Sequence, residues 1–355
     1  MAIIQHLIVD EWGAHIGKYS ERLKVTRGGK TLVQAPLLHL ETLTIAGRGV
    51  SLSAETVREC TERGIPIFFV SSRGTPYASL YSSGLTGTVN TRRAQLRAID
   101  SSLGLRLALA FSTGKINNQR NLIRYMAKYR RETDPGLFAR LQQAADDILD
   151  SIIEIERISQ YPEVLSGEAT IEDLRGEIMG HEGSAAKKYW SAVRWVLPDL
   201  YQPPSEAAFP GRQGRSAKDP LNSALNYAYG ILYGHCERCL VLAGLDPYAG
   251  FLHADRPGKP SLTLDFIEEF RQPVVDRTVI GMANKKVSFE QDEYGQLTQE
   301  TRRTLAAKIH ERLESTHAYE GKRHPLRAIM QMQARHLAAF LRLERSAYTP
   351  YEMSW

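Results

Sequence analysis

GIPIFFVSSRGTPYASLYSSGLTGTVNTRRAQLRAID, residues 64–100, contains the change of pattern on which the fold turns. Ile65-Pro66-Ile67-Phe68-Phe69-Val70 is a short apolar run behind a glycine and reads as a buried strand. After Gly87 the composition turns helical and stays so. Between them, Leu80 to Ser83 with Gly84 and Gly87 read as a hinge; no Lys-Ser/Thr follows, so this is not a phosphate loop.

Upstream of that stretch the chain reads as strands: 7–9, 15–19, 23–26, 31–33 and 43–45, with Gly28-Gly29 turning a hairpin. One short helix opens at Ser53 as its N-cap and ends at Gly64. Downstream, helices are expected over 90–112, 115–131, 136–160, 170–196, 220–243, 261–271, 298–315 and 324–345. Breaks fall at Asp134-Pro135-Gly136, Tyr161-Pro162, Pro203-Pro204 and Gly244, and 203–219 reads as a mobile loop. The fold class is therefore α+β with segregated halves, a small β-rich domain over 1–85 and a larger helical one over 86–355.

A chain of 355 residues fits two domains better than one, and 43% apolar residues are ample for cores. Lys and Arg number 45 against 40 Asp and Glu, an excess that permits nucleic-acid binding and leaves its distribution to decide. Cys60, Cys236 and Cys239 form no disulfide framework, and Cys236-Glu237-Arg238-Cys239 lacks the second ligand pair a structural zinc needs. With no signal peptide and no apolar run of about 18 residues, a soluble, cytoplasmic protein is expected. The C-terminal Tyr348–Trp355, aromatic and uncapped, reads most simply as a frayed end, the alternative being a tail that docks on a neighbour.

Three framed segments carry the candidate chemistry. Glu182 lies in Gly180-His181-Glu182-Gly183-Ser184-Ala185-Ala186, His253 ends Gly250-Phe251-Leu252-His253, and Glu268 lies in Ser261-Leu262-Thr263-Leu264-Asp265-Phe266-Ile267-Glu268-Glu269-Phe270-Arg271. Taken singly, each has an ordinary reading: a solvated glutamate, a buried histidine, an acidic helix face. Asp265 and Glu268, three apart, share one helical face. Two carboxylates and an imidazole with open positions suit Mg2+ or Mn2+, which keep waters and accept substrate oxygens, so this is a candidate centre for phosphate chemistry.

Basic residues form the second signal. Lys115, Arg120, Arg124, Lys128, Arg130 and Arg131 occur without an acid between them, and Arg120, Arg124 and Lys128 recur every fourth residue. Such a stripe fits phosphate contacts, which give affinity without sequence specificity. Arg256 and Lys259, between His253 and Asp265, are placed to reach a phosphate near the centre. Asn222 and Asn226 read as supporting or packing residues rather than ligands.

The segments quoted, with Asp219-Pro220-Leu221-Asn222-Ser223-Ala224-Leu225-Asn226-Tyr227 between the first two, resemble in wording and order the CRISPR-associated integrase family, CRISPR-associated protein one. The resemblance implies metal ligands at Glu182, His253 and Glu268, with Asp265 as the nearby acid of the catalytic set. It implies Arg212 and Arg215, with Lys218, as an Arg-rich DNA-contacting stretch. It further implies an endonuclease that joins 3′-ends of duplex DNA to a CRISPR repeat, a homodimer formed through the β domains, and assembly with the small ferredoxin-like CRISPR-associated protein two. Two other readings fit the same residues: a metal-dependent phosphohydrolase that integrates nothing, and a non-catalytic DNA-binding scaffold with a structural acidic cluster.

Overall fold

The computed structural model describes residues 4, 6–71, 76–80, 88–214 and 217–355. The N-terminal part is built from β1 (His6–Val9), β2 (His15–Tyr19), β3 (Arg22–Arg27), β4 (Lys30–Pro36), β5 (Thr42–Ile45), β6 (Ser51–Leu52), α1 (Ala54–Glu62), β7 (Ile67–Val70) and β8 (Pro76–Leu80). One sheet has the order β1-β5-β7-β8, with β1, β5 and β7 parallel and β8 antiparallel to β7; the other runs β4-β3-β2-β6. Alternation along β3 buries Leu23 and Val25, which join Leu7, Ile16, Leu43 and Ile67 in a small core. Gly28 and Gly29 turn the β3–β4 hairpin at φ +54° and +79°, a conformation that a side chain would strain. Ser53 accepts from the Thr56 N–H and caps α1 as expected.

The helical part comprises α2 (Thr88–Ala98), α3 (Ser102–Lys128), α4 (Pro135–Ile158), the short α5 (Pro162–Leu165), α6 (Ile171–Val196), α7 (Pro220–Leu242), α8 (Ser261–Phe266), α9 (Arg277–Asn284), α10 (Gln299–Glu314) and α11 (Leu326–Leu341). α3, α4 and α6 pack together, and α7 packs against α10 and α11. The two parts meet where Ile8 of β1 packs against the helical core and Phe68 of β7 lies against Gly234 of α7. Among the described residues, no helix is long and apolar enough to cross a membrane. Most of the hinge, residues 81–87, lies outside the described residues.

Several boundaries differ from expectation, each for a physical reason. The break expected near residue 113 is absent, and α3 runs straight through Gly114, whose missing Cβ leaves room for Pro350 of the C-terminal segment. The break falls instead before α3, where Ser101 caps the Leu103 N–H and Gly104 sits so near the Ala98 carbonyl that a Cβ would lie 2.5 Å from it. The helix expected over 261–271 is α8, a 3₁₀ turn at Ile267–Glu269 and a π-helical segment at Arg271–Asp276, which continues into α9. The segment before α11 holds an unforeseen hairpin, β9 (Thr316–Tyr319) and β10 (Lys322–Pro325), turned by Glu320 and Gly321 at φ +48° and +78°. The loop over 203–219 is tied down through residue 214: Phe209 is fully buried and its N–H donates to the Tyr201 carbonyl.

The C-terminus is not frayed. Tyr348, Tyr351 and Met353 are buried, and Asn118 of α3 donates to the Tyr351 carbonyl while accepting from the Met353 N–H. The Trp355 ring lies 5.8 Å from the guanidinium of Arg277 and 5.2 Å from that of Arg312.

Candidate active site

Glu182 projects from α6 toward α3, whose Ser112 and Lys115, three apart, share the facing side. The Lys115 ammonium lies 2.5 Å from Glu182 Oε1 and 3.0 Å from Glu268 Oε2. Arg271, at the start of the π-helical segment, reaches Glu268 Oε1 at 3.4 Å. Burial opposes ionisation of Glu268, yet Arg271, Lys115 and His253 outweigh it and hold the carboxyl below its ordinary range. Burial likewise works against the Lys115 ammonium, and Glu268 and Glu182 more than restore it. The charges of this cleft are thus mutually dependent.

His253 is positioned by Asp265. One Asp265 oxygen accepts the N–H groups of Phe251 (2.6 Å) and Leu252 (3.0 Å). The other accepts the His253 N–H at 2.9 Å and lies 2.7 Å from its Nδ1. Arg175 of α6 holds the same turn from the other side by donating to the Leu252 carbonyl. Gly250 permits this approach, since a Cβ there would lie 2.5 Å from Ser261. With Nδ1 engaged by a carboxylate, Nε2 is the free coordinating nitrogen, an arrangement usual for metal-binding histidines. Both Asp265 oxygens are therefore engaged in orienting the turn.

The donor set fits a hard divalent cation. A cation already lies between Glu182 and Glu268, and buried Glu268 Oε2 accepts no aligned hydrogen bond although the ammonium is near. The donor atoms of Glu182, His253 and Glu268 do not all lie within 4.8 Å of one another, so the three side chains would draw together on an ion.

Two depressions adjoin the site. A cleft of about 640 Å³ is lined by Lys115, Gly183, Lys187, Arg194, Arg212 and Arg271. A groove of about 1540 Å³ adds Arg256, Lys259, Tyr248 and Tyr294, and shares Arg212 and Arg271 with the cleft. Gly183 has open space where a Cβ would be, so α6 offers bare backbone beside the acids. Arg212 is held by Asn222 (3.0 Å) and Asn226 (2.7 Å), which gives those asparagines their supporting role.

The remaining basic residues divide. Lys115, expected among the DNA-contacting residues, points at the two carboxylates. Arg120 is half-buried, whereas Arg124, Lys128 and Arg131 are exposed; Arg215 lies outside the described residues. Sequence reasoning missed the charge role of Arg271, although its three-residue spacing from Glu268 is a readable signal. It also missed the C-terminal segment as a support. Buried Glu269 accepts from the Tyr348 hydroxyl, the Tyr351 N–H and Gln333, so the tail is fastened beside Glu268, and burial pushes its carboxyl up to about 8. No local pattern marks a tail that returns across more than 200 residues to α3.

A family model described as CRISPR associated protein Cas1 matches residues 7–311. Among curated relatives, CRISPR-associated endonuclease Cas1 1 of Archaeoglobus fulgidus is 33% identical, with 98% of this chain and 99% of the relative covered. A casposase bound to integration product has a similar fold, with TM-score 0.79 at 21% identity over 98% of this chain and 93% of its own. So does a chain of a Cas6-RT-Cas1–Cas2 complex, with TM-score 0.75 at 22% identity, covering 100% of this chain and 37% of that longer one. The chain belongs to the Cas1 family of CRISPR-associated proteins.

Proposed function

We propose that the protein is a metal-dependent DNA endonuclease and integrase that inserts short duplex fragments into a CRISPR array. The observation that carries this reading is the convergence of Glu182 and Glu268 on the Lys115 ammonium, beside a histidine whose Nδ1 is fixed by Asp265. Mg2+ or Mn2+ would be held by Glu182, His253 and Glu268, and when bound supplies polarisation of a phosphoryl oxygen and neutralises charge that grows during displacement. Asp265 aims His253, and Arg271 keeps Glu268 ionised. Lys187, Arg194 and Arg212 on the cleft wall attract phosphates, and Lys115 can serve either the carboxylates or a phosphate. Strand joining transfers a phosphoryl group: a DNA 3′-oxygen gains the bond to phosphorus, the old 3′-oxygen leaves, and the proton lost by the attacking hydroxyl to water is matched by one that the leaving oxygen takes up to become a new 3′-hydroxyl.

The reading extends to partners. Arg120, Arg124 and Lys128 of α3, Arg131 just beyond it, Arg212 with Arg215, and Arg256 with Lys259 are assigned to double-stranded DNA. Residues 1–85 are assigned to a homodimer contact, with catalysis in 86–355, and the protein to the cytoplasm. The small ferredoxin-like CRISPR-associated protein two is the expected partner; the similar fold of a chain in a complex named for Cas1 and Cas2 supports it.

The test is a joining assay with a labelled duplex and a supercoiled plasmid carrying a repeat, with and without the small partner, in Mg2+, Mn2+ and EDTA. Metal-dependent joining that His253→Ala abolishes is expected. Nicking without joining would leave a nuclease only, and DNA binding indifferent to His253→Ala and EDTA would leave a scaffold.

A further inference from the structure

Where β1 meets α7 and α10, three imidazoles are gathered whose donor atoms lie within 4.8 Å of one another: His6, His235 and His310. His6 and His310 stack at 4.0 Å between ring centroids and 12° between planes. His235 stands edge-on to both, at 5.7 and 5.4 Å. Burial lowers all three: His6 to about 4, His310 to about 3, and His235 well below its ordinary range. They are therefore neutral near pH 7, and each carries a lone pair.

A buried neutral imidazole ordinarily spends both ring nitrogens on hydrogen bonds. These do not. The His6 side chain is only 9% exposed, and its buried Nε2 has no hydrogen-bond partner; the same holds for buried His310 Nδ1. His6 Nδ1 lies 2.8 Å from the Thr42 hydroxyl, which leaves Nε2 as the free nitrogen. Two carboxylates border the cluster. Glu314 Oε1 is 3.9 Å from His6 Nε2, and Glu41 completes a second group with them; Arg327 binds both acids and Arg238 is the other nearby cation. The fixed charges of these four side chains cancel.

We infer that His6, His235 and His310 form a second metal site, nitrogen-rich and selective for Zn2+ or a similar late transition ion, with Glu314 next in reach, which ties the β-rich part to the helical part. Imidazole donors favour such ions, whereas oxygen donors suit Mg2+ and Mn2+. Zn–N bonds of about 2.0–2.1 Å at tetrahedral angles put ligand nitrogens roughly 3.3 Å apart, so the His6–His310 stack must splay as the nitrogens close in. The Cys236-x-x-Cys239 motif takes no part. Both thiols are buried and raised, Cys239 to about 12, and among the described residues neither belongs to a ligand group; His235 beside them does.

The site is tested without DNA or catalysis. Chelator-stripped full-length protein is titrated with Zn2+ against a chromophoric chelator, with Mg2+ in excess, and Co2+ absorption reports coordination number. We expect one Zn2+ per chain in wild type and in His253→Ala, a rise in Tm with Zn2+ that Mg2+ does not reproduce, and a four-coordinate Co2+ spectrum. Zn2+ affinity should fall more than about 100-fold in His310→Phe, which keeps an aromatic ring in the seam but no donor, and about 10–100-fold in Thr42→Val, which frees the orienting nitrogen. Zn2+ uptake that survives His310→Phe, is lost in His253→Ala, or is absent from wild type overturns the inference. Circular dichroism and Tm of metal-free His310→Phe establish that the variant is folded; if it is not, His6→Phe and Thr42→Val decide by the same titration.

Discussion

The acidic cleft and the histidine seam each gather imidazole and carboxylate, and they manage burial in opposite ways. In the cleft, charge is answered by charge: Lys115 and Arg271 sit against Glu182 and Glu268, and His253 is tied to Asp265. In the seam, the imidazoles stay neutral, and the arginine and glutamate charges pair around them. The Nδ1 of His253 meets a carboxylate and that of His6 a hydroxyl, so each ring has its Nε2 left over. The first arrangement suits a hard ion with open positions, and the second a nitrogen-loving one.

Substitutions that act on one region alone sharpen this contrast. The largest effect is expected from Glu268→Ala, which removes an oxygen donor and leaves Lys115 and Arg271 short of a partner. Strand joining should fall at least about 1,000-fold, several kcal/mol of barrier, while Zn2+ uptake at the seam is unchanged; loss of both together would break the comparison. Asp265→Ala comes next. It leaves the Phe251, Leu252 and His253 N–H groups without acceptors, so a denaturant melt should show a loss of about 3 kcal/mol, and joining should fall with it.

Smaller effects test the charge balance. In Lys115→Met an entering cation no longer competes with the ammonium, so Mn2+ should bind about 10-fold tighter, roughly 1.4 kcal/mol, read from the Mn2+ dependence of Tm. Weaker binding would show that Lys115 assists the ion rather than standing in for it.

Asp276 offers the most pH-specific effect, one that vanishes toward pH 4. Burial pushes its carboxyl up to about 6, although Tyr229 and Tyr189 donate to it and Arg212 and Arg271 are near. A folded value above the unfolded one means that the acid form is favoured by folding, so this contribution is present below about pH 4 and is lost as pH rises through 6. Asp276→Asn should therefore stabilise the protein by about 1–3 kcal/mol at pH 8 and progressively less toward pH 4, measured by melts across that range.

Much of the fold was legible because its signals are local. Gly28-Gly29, the Ser53 cap and the period of β3 are short-range features, and each appears in the structure. The acids and His253 were legible through their framed segments, and Asp265 through its spacing from Glu268. The passage of α3 through Gly114 was not, because it depends on Pro350, distant in the chain. The β9–β10 hairpin had a local signal in Glu320-Gly321, hidden by helical composition on either side. Lys115 was read with its neighbours as phosphate-binding, because sequence shows which charges are adjacent along a helix but not which acids lie opposite.

By itself, then, the sequence determined the segregation into strands and helices, the family, and the residue types able to hold a divalent ion, since propensity, turn chemistry and motif wording are properties of neighbouring residues. Tertiary structure alone decided that Lys115 lies between Glu182 and Glu268, that Asp265 grips the turn carrying His253, that the tail braces α3, and that His6, His235 and His310 meet. Those outcomes rest on contacts between residues far apart in the chain, and Coulomb and coordination energies depend on distance in space, not along the sequence.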